Sequence, residues 1–191
     1  MSVGELNETC ARTREIIANV PVGMYDRPTP CGLWDVRKLI NHTIAAPHWV
    51  ARCVNDGEAA DHDLLEEVDH VGGDVLHEYD QAVTAAVETF RAPAAVNQSV
   101  RFPFGNLTGE TLLGILVDDQ FMHGWDLAKA TGQAMTDADE AMAQRLLEHH
   151  AGRSLDPFRG PEGKAPYGPE VEVGPNAPAT DRLAAFFGRT P

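Results

Sequence analysis

The chain has 191 residues, 43% of them hydrophobic, and a formal net charge of −14. That length is enough for one domain with a hydrophobic core. The acidic balance disfavours nucleic acid as a partner, because phosphate binding needs clustered lysine and arginine. No stretch approaches the ~20 apolar residues of a membrane span, and residues 1–5 lack the basic-then-apolar layout of a signal peptide. We therefore expect a cytoplasmic protein that has no membrane partner.

Two helices are predicted in the first third of the chain. Apolar residues recur at helical spacing over residues 3–20, and Pro21 ends that pattern. Asp35 is the predicted N-cap of a second helix, in which Pro47 can produce a kink. This second helix has two non-polar stripes, which indicates burial on two sides, and one stripe consists of His42, Trp49 and Cys53.

The middle of the chain combines an acidic run with two further elements. Residues 58–69 are rich in Asp and Glu, which predicts a solvated loop between helices. A third helix is predicted over residues 75–90 from its apolar periodicity. Between Pro93 and Gly105, apolar residues at even spacing predict a short extended segment or hairpin: Val96, Val100, Phe102 and Phe104.

The fourth predicted helix carries the most informative pattern. Thr108 is its predicted cap, and it ends near Gly132. Asp119 and His123 lie one turn apart in the middle of its apolar stripe, where a carboxylate costs several kcal/mol unless something replaces its hydration. Because a carboxylate and an imidazole at this spacing can both reach one divalent cation, the pattern favours a metal site. The residues of the predicted core-facing stripe are Leu112, Ile115, Leu116, Leu127 and Ala130.

The remaining residues complete an all-α architecture. A fifth helix is predicted over residues 137–150, followed by an irregular stretch and a short closing helix over residues 181–187 that docks back. We expect an antiparallel four-helix bundle with an additional short helix and a short extended segment. The predicted division is a metal-binding bundle over residues 1–151 and an irregular C-terminal extension over residues 152–191.

A third metal ligand must come from another helix. His42, on a non-polar stripe of the second helix, is either a ligand or a hydrogen-bonded core residue. The other candidates are expected to be solvated: His62, His70, His77, His149 and His150. The cysteines are three in number and form no CxxC pair, so we expect Cys10, Cys31 and Cys53 to be reduced and partly buried. No neighbour in the sequence activates Cys31.

Two segments carry a family resemblance. The segments TPCGLWDVRKLINH (29–42) and DQFMHGWDLA (119–128) resemble the metal-binding domain of mycothiol-dependent maleylpyruvate isomerase, in the DinB-like superfamily of helical bundles. The closing APATDRLAAFFGR (177–189) resembles the end of a subgroup of these proteins. In that family, one His from the second helix and a carboxylate-x-x-x-His pair hold a divalent metal, commonly zinc. At the matching positions the resemblance implies His42, Asp119 and His123 as the ligands.

Some residues near these positions depart from the family or stay open. The isomerase has Glu at the carboxylate position, so the shorter Asp119 would draw the metal closer to its helix. Asp118 is expected to be solvated or paired. Asp126 either orients a ligand imidazole or forms a structural hydrogen bond or salt bridge. The three tryptophans, Trp34, Trp49 and Trp125, are interpreted as packing residues.

Two histidines and one carboxylate leave an open coordination position, which is typical of catalytic sites. The resemblance implies a low-molecular-weight thiol such as mycothiol as co-substrate, acting on an electrophilic small molecule, and a possible homodimer. The isomerase carries a further C-terminal domain, so we predict a metal-dependent thiol S-transferase-like enzyme and not the isomerase itself. A non-catalytic metal-binding stress or sensing module and a metal-dependent hydrolase are the alternatives. Zn, Ni, Fe and Mn all accept such ligands.

Overall fold

We describe a computed structural model of the chain, which covers residues 1–61, 68–161 and 164–191. Helices form most of it, with one small antiparallel hairpin. The helices are α1 (Val3–Ala18), α2 (Val36–Asp56), α3 (Val75–Arg91), α4 (Gly109–Thr131), α5 (Asp137–His150) and α6 (Ala179–Phe186), and the strands are β1 (Ser99–Phe102) and β2 (Gly105–Thr108).

The predicted antiparallel four-helix bundle is confirmed. Helix α2 packs against α3 and α4, and α1 packs against the other sides of the same two helices. The largest fully buried side chains, which include Trp125, Tyr79 and Phe187, fill the interior. In the described part of the chain, no helix has the length and apolar character needed to cross a bilayer.

Local capping chemistry sets the helix ends, as the sequence predicts. The Asp35 side chain accepts a hydrogen bond from the Lys38 N–H at the start of α2, and Thr108 does the same for Thr111 in α4. Helix α4 ends at Gly132, whose φ of 73° is the left-handed conformation that glycine adopts readily. These caps fix where the two helices that carry the candidate ligands begin and end.

The predicted extended segment is present at residues 99–102 and forms a hairpin with residues 105–108. The second strand lies beyond the predicted range, and Val96 lies in a 3-10 helix over Ala95–Asn97 instead. Val100 and Phe102 are buried, whereas Phe104 lies in the turn and is 71% exposed. The solvated acidic loop falls partly outside the described residues, since residues 62–67 are not among them. In the rest of that run, Glu58, Asp61 and Asp69 are exposed.

The buried face of α4 differs from the predicted stripe. Ile115, predicted to face the core, is 39% exposed. The buried arc of the helix is centred on Leu113, Leu116 and Gln120, which are nearly inaccessible. Leu112, Leu116 and Leu127 of the predicted stripe are buried, so the stripe was wrong at Ile115, and the buried arc extends from it towards Leu113 and Gln120. Asp119 consequently lies at the edge of the buried arc and not in its middle.

The C-terminal helix docks on the bundle, as predicted. Helix α6 packs against α5 and α4, with Leu183, Ala184 and Phe187 buried. The Asp181 carboxylate joins this helix to α4, since it lies 3.1 Å from Lys129 Nζ and accepts a hydrogen bond of 3.3 Å from Trp125 Nε1. The segment after α6 is thereby brought to the same end of α4 as His123.

Candidate metal centre

A buried glutamine sets the rotation of α4. Gln120 Nε2 donates to the backbone oxygen of Thr43 on α2 at 3.0 Å, and its Oε1 accepts from the Tyr79 hydroxyl on α3 at 2.6 Å. The Thr13 hydroxyl on α1 donates to the Gln120 backbone oxygen at 2.9 Å. Since three helices contact this one residue, the neighbouring Asp119 is held facing α2, and Gln120 Nε2 also lies 3.4 Å from Asp119 Oδ2.

The predicted trio comes together at this position. His42 Nε2 lies 3.1 Å and His123 Nε2 lies 3.3 Å from the same atom, Asp119 Oδ1. The side chains are 15%, 8% and 21% exposed for His42, His123 and Asp119 respectively. Two imidazoles and one carboxylate oxygen therefore converge in a mostly buried position, in which His42 and Asp119 remain partly exposed to solvent.

The charges of this trio are strongly coupled. Burial alone would raise the pKa of Asp119, but His123 and His42, through charge and hydrogen bonds, hold that pKa well below its usual range. Burial alone would lower the pKa of His123, but Asp119 and then Asp126 raise it to about 9. Without a cation, the site therefore contains a carboxylate and a protonated His123.

Asp126 contacts the second nitrogen of the same imidazole. His123 Nδ1 lies 3.1 Å from Asp126 Oδ2, and the Asp126 side chain is fully buried. Of the two roles open for Asp126, this contact fits orientation of an imidazole, and its contact with Arg189 fits a structural salt bridge. Arg189, which the sequence analysis did not select, contacts Asp126 from the C-terminal segment at 3.2 Å.

The loop before α2 supplies one wall of the site. The Trp34 ring packs 4.4 Å from the His42 ring and 5.5 Å from the His123 ring, measured between centroids. This matches the interpretation of Trp34 as a packing residue. Cys31, in the same loop, has its thiol within 4.8 Å of ligand atoms of His123 and Asp126. Its nearness to these residues is tertiary, so no local pattern could have revealed it.

On another face of α4, Asp118 forms a buried pair. Asp118 Oδ2 lies 2.9 Å from His150 Nε2, and each side chain is 9% exposed. The expectation that His150 is solvated was therefore wrong: α6 and its following residue cover it with Phe186 and Phe187. Burial raises the pKa of Asp118, although His150 opposes that shift. Asp118 is paired, which is one of its two predicted states.

The geometry of the trio fits a divalent cation. Ligand atoms that each lie ~2.1 Å from a tetrahedral metal are about 3.4 Å apart, close to the two observed separations of 3.1 and 3.3 Å. Imidazole nitrogen and carboxylate oxygen are both ligands of zinc and its neighbours in the first transition row. The three atoms all lie within 4.8 Å of one another, so one ion can reach all of them.

Comparison with known proteins gives the family of the chain. The family described as "Mycothiol maleylpyruvate isomerase N-terminal domain" matches residues 6–128, which include all three residues of the trio. The chain belongs to this family. The resemblance in the two segments around His42 and His123 is thereby confirmed.

Relatives and solved structures give the extent of the likeness. Two proteins of Mycobacterium tuberculosis, from strains CDC 1551 / Oshkosh and ATCC 25618 / H37Rv and both described as uncharacterized, are each 34% identical over 177 residues. The match covers 92% of this chain and 90% of each relative. A DinB-like protein of Bacillus subtilis has a similar fold, with a TM-score of 0.56 and 14% identity over 70% of this chain and 93% of its own.

Proposed function

We propose that this protein is a metal-dependent thiol S-transferase-like enzyme. It binds a divalent cation, with zinc as the first candidate, through His42, Asp119 and His123. A low-molecular-weight thiol such as mycothiol is its co-substrate, and an electrophilic small molecule is the acceptor. The observation that carries the proposal is the convergence of two imidazole nitrogens on one carboxylate oxygen at a position that keeps access to solvent.

Each side chain of the site has a distinct part in this proposal. A divalent cation held by these three side chains would have a position left for a thiol and would lower the pKa of that thiol. His42 and His123 offer neutral nitrogens and Asp119 offers the one negative charge, so the site stays electropositive enough to favour a thiolate. Gln120 holds the second oxygen of Asp119, and the Trp34 ring packs against both imidazoles.

The family supports the choice of thiol. Its description names mycothiol and an isomerase, and both conjugation and cis–trans isomerisation can begin with attack of a thiolate on an electrophilic carbon. In that attack the sulfur forms a bond to carbon with its own electron pair. In conjugation a leaving group departs, or a proton is added to the adduct. Isomerisation ends when the thiolate is expelled again.

The first experiment tests metal binding by elemental analysis of protein purified without chelators. We expect one divalent ion per chain in the wild type and less than a tenth of that in His42→Ala and His123→Ala. His77→Ala, which removes an exposed histidine of α3, is the matched control and should keep the metal. A wild-type protein without affinity for any divalent metal, or two site variants that fold and bind metal normally, would refute the proposal.

The second experiment tests the thiol. Mycothiol is titrated into the cobalt-substituted protein, and a sulfur-to-cobalt charge-transfer band is expected; thiol consumption is then followed against alkyl halides, epoxides and activated alkenes. If the protein binds metal but shows no thiol-to-cobalt band, the non-catalytic metal-binding module becomes the favoured function. Cleavage of esters or amides in the absence of thiol would favour the metal-dependent hydrolase. The Cys31→Ser variant tests whether the nucleophile is the added thiol or the thiol of Cys31. Activity that is lost in Cys31→Ser and does not depend on added thiol would contradict the proposal.

A further inference from the structure

The segment after α6 folds back towards α4. Gly188 has a φ of +86°, and a Cβ atom at this position would lie 2.7 Å from backbone atoms of Gly168. A side chain is therefore excluded both by the backbone conformation and by the close approach. The backbone N–H of Arg189 donates to the Ala184 oxygen at 2.9 Å. This hydrogen bond closes the turn, and the Arg189 side chain points to the bundle.

That side chain reaches a buried carboxylate. Arg189 Nη2 lies 3.2 Å from Asp126 Oδ2 and Nε lies 3.4 Å from Oδ1, so the guanidinium faces both oxygens. Arg189 is only 13% exposed and Asp126 is fully buried. A carboxylate this deeply buried depends on partners that offset its lost hydration, and Arg189 is one of them.

The other contact of Asp126 leads to the metal site. The same Oδ2 atom that meets Arg189 lies 3.1 Å from His123 Nδ1, while Nε2 of that ring faces Asp119. Asp126 therefore lies between Arg189 and the imidazole, and its Oδ2 atom contacts both. Because Arg189 approaches both oxygens of Asp126, it fixes the orientation of the carboxylate that faces His123 Nδ1.

From this chain of contacts we infer that Arg189 is a positioning residue for the metal centre. It holds the Asp126 carboxylate in place, and Asp126 in turn orients the His123 ring through Nδ1. The inference rests on the proposed function, because it requires a cation at the trio. It assigns the C-terminal segment a role in the site, although that segment follows the part of the chain that the family match covers.

The test compares Arg189→Gln and Arg189→Lys with Arg182→Gln, a control from α6 whose guanidinium contacts Gln144 instead. Zinc affinity is measured by chelator competition, ligand geometry by the visible spectrum of the cobalt form, and folding by the melting temperature of the metal-free protein. Loss of a residue that orients a metal ligand weakens affinity by about 10–100-fold. We expect zinc affinity to fall about tenfold in Arg189→Gln and by less in Arg189→Lys, and the cobalt spectrum to change in both variants. The control should keep the zinc affinity and the cobalt spectrum of the wild type.

A double variant makes the test specific. In an Asp126→Asn background, Arg189→Gln should produce no further loss of zinc affinity, because the contact through which it acts is gone. Unchanged zinc affinity and cobalt spectrum in Arg189→Gln, with zinc bound normally by the wild type, would overturn this inference alone. Failure of the wild type to bind zinc or cobalt would overturn the proposed function as well. Should Arg189→Gln not fold, Arg189→Lys decides, and wild-type affinity and spectrum in that variant overturn the inference.

Discussion

The proton on His123 predicts how metal affinity depends on pH. In the metal-free protein both ring nitrogens of His123 face carboxylates, Asp119 at 3.3 Å and Asp126 at 3.1 Å, which is the environment of an imidazolium. With a pKa of about 9, roughly one molecule in a hundred has the neutral ring at pH 7. Because a metal binds the neutral ring, affinity should rise about tenfold for each pH unit up to about pH 9.

The assay is zinc or cobalt competition against a chelator of known pH dependence, at half-unit steps from pH 6.5 to 8.5. We expect affinity to increase by about 100-fold over this interval. Asp126 is one cause of the raised pKa, so in Asp126→Asn the rise should level off at lower pH. An affinity that is flat above pH 7 in the wild type would refute the reasoning, since it would mean that His123 is already neutral there.

The same pKa makes a statement about the metal-free fold. The folded-state pKa of His123, about 9, lies above its ordinary value of 6.5, so the imidazolium stabilises the folded chain fully below about pH 6.5. That contribution is lost as the pH rises through 9. The melting temperature of the metal-free protein should therefore decrease between pH 7 and 9. The melting temperature of the zinc-loaded protein should decrease less over the same interval. Equal slopes for both forms would contradict this assignment.

Three further substitutions test other parts of the structure. The Asp119→Asn variant should keep the helical circular dichroism of the wild type but bind zinc at least about 100-fold more weakly, because it lacks the anionic ligand. A zinc affinity within threefold of the wild type would exclude Asp119 as a ligand. The Gly124→Ala variant would place a Cβ 2.8 Å from the Thr13 hydroxyl oxygen and should lower the free energy of unfolding by about 1–3 kcal/mol, as measured with denaturant. The double variant Gly124→Ala/Thr13→Ala should recover part of that loss. The His150→Leu variant leaves Asp118 buried without its partner and should lower the free energy of unfolding by about 3 kcal/mol. Its zinc affinity should stay within twofold of the wild type, and a larger loss would show that this pair belongs to the site.

Much of the fold follows from local sequence. Asp35, Thr108 and Gly132 are predicted from short-range chemistry, because a cap needs only the residues next to it. The spacing of Asp119 and His123 likewise follows from one turn of helix. The family resemblance added His42, whose distance from Asp119 no periodicity could specify.

The remaining features depend on contacts between distant parts of the chain. Gln120 contacts three other helices, and Ile115 is exposed despite its place in the apolar pattern. His150 is buried because α6 covers it. Arg189 reaches Asp126 only after a turn at Gly188 brings the end of the chain back onto α4.

The central claim is most directly tested by a crystal structure of zinc-loaded protein with an anomalous difference map at the zinc edge. We predict a single strong peak about 2.0–2.2 Å from His42 Nε2, Asp119 Oδ1 and His123 Nε2, with a further position open to solvent. A map without a peak between these three atoms, from protein shown to be saturated with zinc, would contradict the account.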